Sequence, residues 1–161
     1  MGIYNKKFRI VWEKLEQCYS KGKIKPQQEN DITCYLYHVL LNDGIQPIKI
    51  WTEDTINVGK KKCYIDMNIN DRLLVEIRLM KPKYHTGFST FAKKIEKLSS
   101  KLKKSSRRVK RCHKRQPIVA LWNWKEEPID KTLTANLKKL KKDLKRKYEV
   151  YLIWGPKCQC N

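Results

Sequence analysis

Two carboxylates and an arginine stand at a spacing that can do chemistry. Residues 61–81 contain an alternating run, about Cys63–Ile69, then the polar break Asn70-Asp71-Arg72, then the apolar run Leu73–Met80. In the first run Tyr64, Asp66, Asn68 and Asn70 share one face, and Cys63, Ile65, Met67 and Ile69 the other. The second run suits a strand covered on both sides, yet it carries Glu76 and Arg78, two places apart and therefore on one face. A carboxylate set in so apolar a strand needs a cation to meet it. A hairpin folded around 70–72 brings Asp66 across from Glu76 near its open end. Converging carboxylates of this kind make a site for a hard divalent ion.

The elements around this hairpin follow from periodicity. Phe8, Val11, Trp12, Leu15 and Tyr19 mark a helix over 4–20, ended by Gly22 and Pro26. A second helix runs from about Gln27 to Leu41, with Ile32, Leu36, Val39 and Leu40 as its stripe. Glu29 lies one turn before that stripe, while Asp31 is expected in solvent. A strand is expected over about 47–53, with Glu53-Asp54 and the residues from Asn57 to Gly59 turning into the hairpin. Pro82 and Gly87 mark a loop. Phe88, Phe91, Ile95, Leu98 and Leu102 then predict a helix over 88–104. Pro117–Trp124 reads as a buried strand. Asp130 or Thr132 caps a helix reaching Lys147 with a Leu133, Leu137, Leu140, Leu144 stripe, and Glu149–Trp154 is a last strand. The fold class is α/β: a mixed central sheet of about five strands flanked by helices, in the order α-α-β-β-β-α-β-α-β. The chain divides into an N-terminal helix, 1–25, and an α/β domain, 26–161, with a basic segment at 93–115, together one compact unit.

The element order and the hairpin acids together resemble the restriction-endonuclease-like superfamily of nucleases, the PD-(D/E)XK group. Its pattern is an aspartate opening one strand and, about ten residues on, an acid-x-lysine triplet in the next. Asp66 takes the first place and Glu76-Ile77-Arg78 the second, across a likeness covering about residues 26–154. The resemblance implies an endonuclease-like core and hydrolysis of phosphodiester bonds, with DNA as the expected substrate. It implies Mg²⁺, or Mn²⁺, held by Asp66, Glu76, the Ile77 carbonyl and Glu29. Glu29 has a second reading of equal weight, as an acid favoured by the helix dipole.

Arg78 departs from the pattern. Arginine stays protonated and cannot take a proton from water, so it can only hold a phosphate or neutralise charge. Either it performs that electrostatic part, or a lysine from elsewhere (Lys62, Lys93 or Lys94) supplies the rest, or the chain binds without cutting. An ion pair of Arg78 with Glu76 or Asp66, and no metal, is the purely structural alternative.

Charge points to the partner. With 37 Lys and Arg against 16 Asp and Glu, the net charge is +21 over 161 residues. The pI is near 9.8. Such a surface attracts polyanions, nucleic acid above all. Lys93, Lys94, Lys97, Lys101 and Lys104, continued by Arg107, Arg108, Lys110 and Arg111, are the candidate backbone clamp. A second lysine row, Lys138, Lys139, Lys141, Lys142 and Lys145, lines the later helix. A basic RNA- or ribosome-associated protein of another α/β fold is the remaining alternative, and in it Asp66 and Glu76 would not converge.

No run is long enough to span a membrane and no apolar signal core opens the chain, so a cytoplasmic location is the default expectation. A homodimer is compatible with cutting both strands of a duplex. Cys34 and Cys63 fall on apolar positions, as reduced core thiols. Cys158 and Cys160 with Cys112-His113 have poor spacing for zinc. His38 reads as a structural or surface residue and His113 as part of the basic run, while His85, in the loop after the third strand, could approach the site; no Ser–His–Asp pattern and no phosphate-binding glycine loop is present.

Overall fold

The computed structural model describes residues 3–58, 61–80, 87–106, 115–123 and 129–156. In chain order the elements are α1 (Ile3–Ser20), α2 (Glu29–Asn42), a 3₁₀ turn (Pro47–Lys49), β1 (Ile50–Val58), β2 (Lys61–Ile69) and β3 (Leu73–Met80). Then come α3 (Phe88–Ser106), β4 (Gln116–Asn123), α4 (Lys131–Tyr148) and β5 (Tyr151–Gly155). The chain is α/β, with one five-stranded mixed sheet in the order β1-β2-β3-β4-β5. β2 runs antiparallel to both of its neighbours, β1 and β3. β3, β4 and β5 run parallel, joined by crossovers through α3 and α4.

Two crossovers of one hand put both connecting helices on one side of the sheet. Alternation along β3 then divides the core. Leu73, Val75, Ile77 and Leu79 face α1 and α2, while Leu74 and Met80 face α3 and α4. The expected stripes supply both layers: Phe8, Val11, Trp12, Leu15, Ile32, Leu36 and Leu40 on one side, Phe91, Ile95, Leu102, Leu133, Leu137, Leu140 and Leu144 on the other. Trp12 is buried edge-on against Trp122, with ring centroids 5.6 Å apart, and this pins α1 to β4.

Local chemistry sets the element ends. α2 begins at Glu29 rather than Gln27, because Gln28 is its N-cap. Asp31 is not simply solvated: its Oδ2 accepts the Gln27 and Gln28 N–H groups at 2.7 and 3.1 Å, satisfying donors that the first helical turn leaves open. Asp130 caps α4, its Oδ1 accepting from Leu133 N at 2.6 Å. Glu149 closes α4 in the left-handed region (φ 59°) instead of opening β5.

The first strand lies elsewhere than expected. Ile48 falls in the 3₁₀ turn and is 78% exposed. Glu53 and Asp54 do not turn the chain; they continue β1, which runs on to Val58. Pairing with β2 carries the strand through: Thr52 meets Met67 and Asp54 meets Ile65. Cys34 is exposed, not a core thiol, because it lies off the Ile32–Leu36–Leu40 stripe. The side chain of Cys63, the loop at 81–86 with His85, residues 107–114 and the Cys158–Cys160 tail lie outside the described residues.

Candidate metal and phosphodiester site

The β2–β3 hairpin turns where the polar break lies. Asn70 and Asp71 both take left-handed backbone conformations, φ 54° and 52°, which these two residue types tolerate. Arg72 N donates to Ile69 O at 3.0 Å. The register is Ile69 to Leu73, Asn68 to Leu74 and Met67 to Val75. One further step sets Asp66 opposite Glu76, and there the ladder stops.

Beyond Val75 the two strands part. Ile65 packs with the α3–α4 core while Met67, two residues on, packs with the α1–α2 core, so the expected alternation of β2 breaks at Asp66. The neighbouring strand is irregular at the same level, with Glu53 at φ 52°. β3 therefore loses its partner, and its backbone donors need others. Side-chain carboxylates supply them: Asp66 Oδ2 accepts Ile77 N at 2.6 Å, and Glu29 Oε1 accepts Leu79 N at 3.1 Å. Glu29 reaches this position because it is the first residue of α2.

Arg78 gathers the remaining oxygens. Its Nη1 donates to Ile77 O at 2.7 Å, to Glu29 Oε2 at 3.2 Å and to Asp66 Oδ2 at 3.5 Å, while its Nη2 donates to Glu76 Oε2 at 3.0 Å. The structure thus brings together Glu29, Asp66, Glu76, Arg78 and the Ile77 carbonyl around one guanidinium.

Burial makes the acids unequal. The Glu76 side chain is 1% exposed, against 31% for Asp66 and 40% for Glu29. Desolvation, then repulsion from Asp66, pushes the Glu76 carboxyl up to about 8, against the opposing pull of Arg78 and Lys101. Asp66 is also raised, by burial, although the Ile77 N–H and Arg78 hold it back. Of the two carboxyls, Glu76 is pushed the further toward its neutral form, by its deeper burial and by Asp66.

Carboxylate and carbonyl oxygens alone suit Mg²⁺ or Mn²⁺ in donor chemistry. A divalent ion would compete for them with Arg78 and with protonation of Glu76. Among the described residues, no three His, Cys, Asp or Glu side chains are gathered closely enough to hold a metal ion. The available set is two carboxylates with a main-chain carbonyl, and Glu29 joins them through Arg78's Nη1.

The basic residues sort themselves. Lys93, Lys94, Lys97 and Lys104 are exposed on α3, as is Lys62 on β2, so the lysines considered as stand-ins for Arg78 point into solvent. Arg107, Arg108, Lys110 and Arg111 lie outside the described residues. Lys101 behaves differently. It is half-buried, and its Nζ donates to Tyr64 O at 3.1 Å. Its place in the sequence carried no signal of this, since Lys94 borders the same apolar stripe one heptad earlier and is exposed. His38 is exposed. No helix among the described residues is long and apolar enough to cross a membrane. No family model matches the chain, and no curated protein or solved structure is significantly similar to it.

Proposed function

We propose that this chain is a divalent-cation-dependent nuclease that hydrolyses phosphodiester bonds, with DNA as substrate. The observation that carries the reading is the convergence of Asp66, Glu76 and the Ile77 carbonyl where β2 and β3 part. The element order agrees with the resemblance to the endonuclease-like nucleases. A basic RNA- or ribosome-associated protein of another fold carries the expectation that Asp66 and Glu76 stay apart, and their meeting at Arg78 weighs against it.

Asp66, Glu76 and the Ile77 carbonyl would hold Mg²⁺ or Mn²⁺, with Glu29 nearby, directly or through water. Such an ion, when bound, supplies charge stabilisation and lowers the pKa of attached water. Glu76 must release its proton for this, so the buried acid ties metal binding to pH. Arg78, freed from some of its oxygens, keeps its charge and can neutralise the scissile phosphate. The exposed lysines of α3 and α4 lie on one side of the sheet and can track a phosphate backbone. Cutting both strands of a duplex needs two such sites, and a homodimer would provide them.

One observation favours a second reading. Arg78 already bridges all three acids, as a cation would in a protein that binds nucleic acid without cutting it. Labelled duplex, single-stranded and branched DNA incubated with Mg²⁺ or Mn²⁺, beside EDTA and Glu76→Ala controls, decides between them. Metal-dependent cutting that is lost in the variant supports the nuclease. Salt-sensitive binding with no cutting on any substrate refutes it in favour of the binder.

A further inference from the structure

Arg78 has little left to offer a substrate while the acids hold it: both terminal nitrogens are engaged, by four oxygens. A second cation close to the site would share the phosphate with it, and α3 offers one. α3 packs on the sheet face that Glu76 shares with Leu74 and Met80. Lys101 is half-buried on this helix and reaches back to β2, where its Nζ bonds the carbonyl of Tyr64, two residues before Asp66. Its charge is felt at Glu76, where it opposes the upward push of burial. Ser105 closes on the Lys101 carbonyl through its hydroxyl at 3.1 Å, in a stretch where Leu102, Ser105 and Ser106 are buried. The Lys101 ammonium is thus held at β2, two residues before Asp66. An ammonium has three donors and the Tyr64 carbonyl uses one.

We infer that Lys101 holds the scissile phosphate beside the Asp66–Glu76 pair, a role distinct from that of the exposed lysines of the same helix. The inference rests on the nuclease reading. It separates one lysine that contacts the reacting phosphate from neighbours such as Lys97 that contact only the flanking backbone.

The test is steady-state cleavage of a labelled DNA by Lys101→Met, Lys101→Arg and Lys97→Met, each first shown by its melting temperature to be folded. Lys101→Met lowers kcat about 10²–10³-fold, the scale of removing one transition-state donor, while its KM changes no more than in Lys97→Met. Lys101→Arg recovers part of the loss because it keeps the charge. If Lys101→Met fails to fold, Lys101→Gln takes its place. A kcat within about threefold of wild type in the neutral variant overturns the role of Lys101 and leaves the nuclease standing. A wild-type protein that binds DNA and cuts none overturns both.

Discussion

The two ends of the β2–β3 hairpin carry the same ingredients and put them to different use. At the turn, Asp71 pairs with Arg115, and Asn68 Nδ2 donates to Asp71 at 3.4 Å and to Asp54 at 2.8 Å. At the open end, Asp66, Glu76 and Glu29 share Arg78. The Asp71 side chain is 48% exposed, so water solvates its charge and the arginine only ties the turn to the start of β4. Glu76 has no such water. Its charge is opposed by burial and by a neighbouring acid, and one guanidinium serves three carboxylates. An acid–arginine pair in contact with water holds chain segments together. The same pair out of water, with a carboxylate in excess, stays ready to exchange its proton or its cation for another partner.

The largest expected difference between the two ends is in activity. Asp66→Ala and Glu76→Ala should each lower metal-dependent cleavage about 10³-fold while leaving DNA affinity within about threefold. Asp71→Asn should leave the cleavage rate alone. Equal loss from all three would erase the distinction.

pH comes next. In the metal-free protein the folded state holds the Glu76 proton up to about pH 8, whereas the unfolded chain releases it near 4.5. The stability contributed by that proton is complete below 4.5 and is lost as the pH rises to about 8. Between these limits the loss is on the order of 5 kcal/mol, read as the difference between wild type and Glu76→Gln in urea unfolding with EDTA present. Apparent Mg²⁺ affinity should rise over the same range, and titration calorimetry in buffers of different ionisation enthalpy should detect the proton released.

Arg78→Met should destabilise the metal-free protein by about 2–3 kcal/mol, below the usual figure for a broken buried pair because the guanidinium is 35% exposed. Added Mg²⁺ should restore more melting temperature in this variant than in wild type, since an ion can replace the missing cation. At the turn, Asp71→Asn should cost under about 1 kcal/mol, and high salt should shrink even that.

Much of this contrast was legible beforehand, and for local reasons. Asn70 and Asp71 are residues that accept a left-handed turn, so the hairpin could be placed, and counting outward from it set Asp66 against Glu76. The parting of the strands was not legible. Ile65 and Met67 have the same period-two relation in sequence whether or not the strand switches cores between them. The extent of β1 is hidden in the sequence for a similar reason: Glu53 and Asp54 look like a turn, and only pairing with β2 keeps them in the sheet.

The sequence by itself determined the order of elements, the apolar stripes, the hairpin turn and the excess of positive charge. Each depends on neighbours within a few residues or on composition. Tertiary structure alone decided that Glu76 is sealed from water, that Glu29 and Asp66 serve the unpaired N–H groups of β3, and that Lys101 rather than Lys93 or Lys94 turns onto β2 at Tyr64. Those outcomes depend on where a ladder ends and which helix covers the gap, and both are set by packing between segments far apart in the chain.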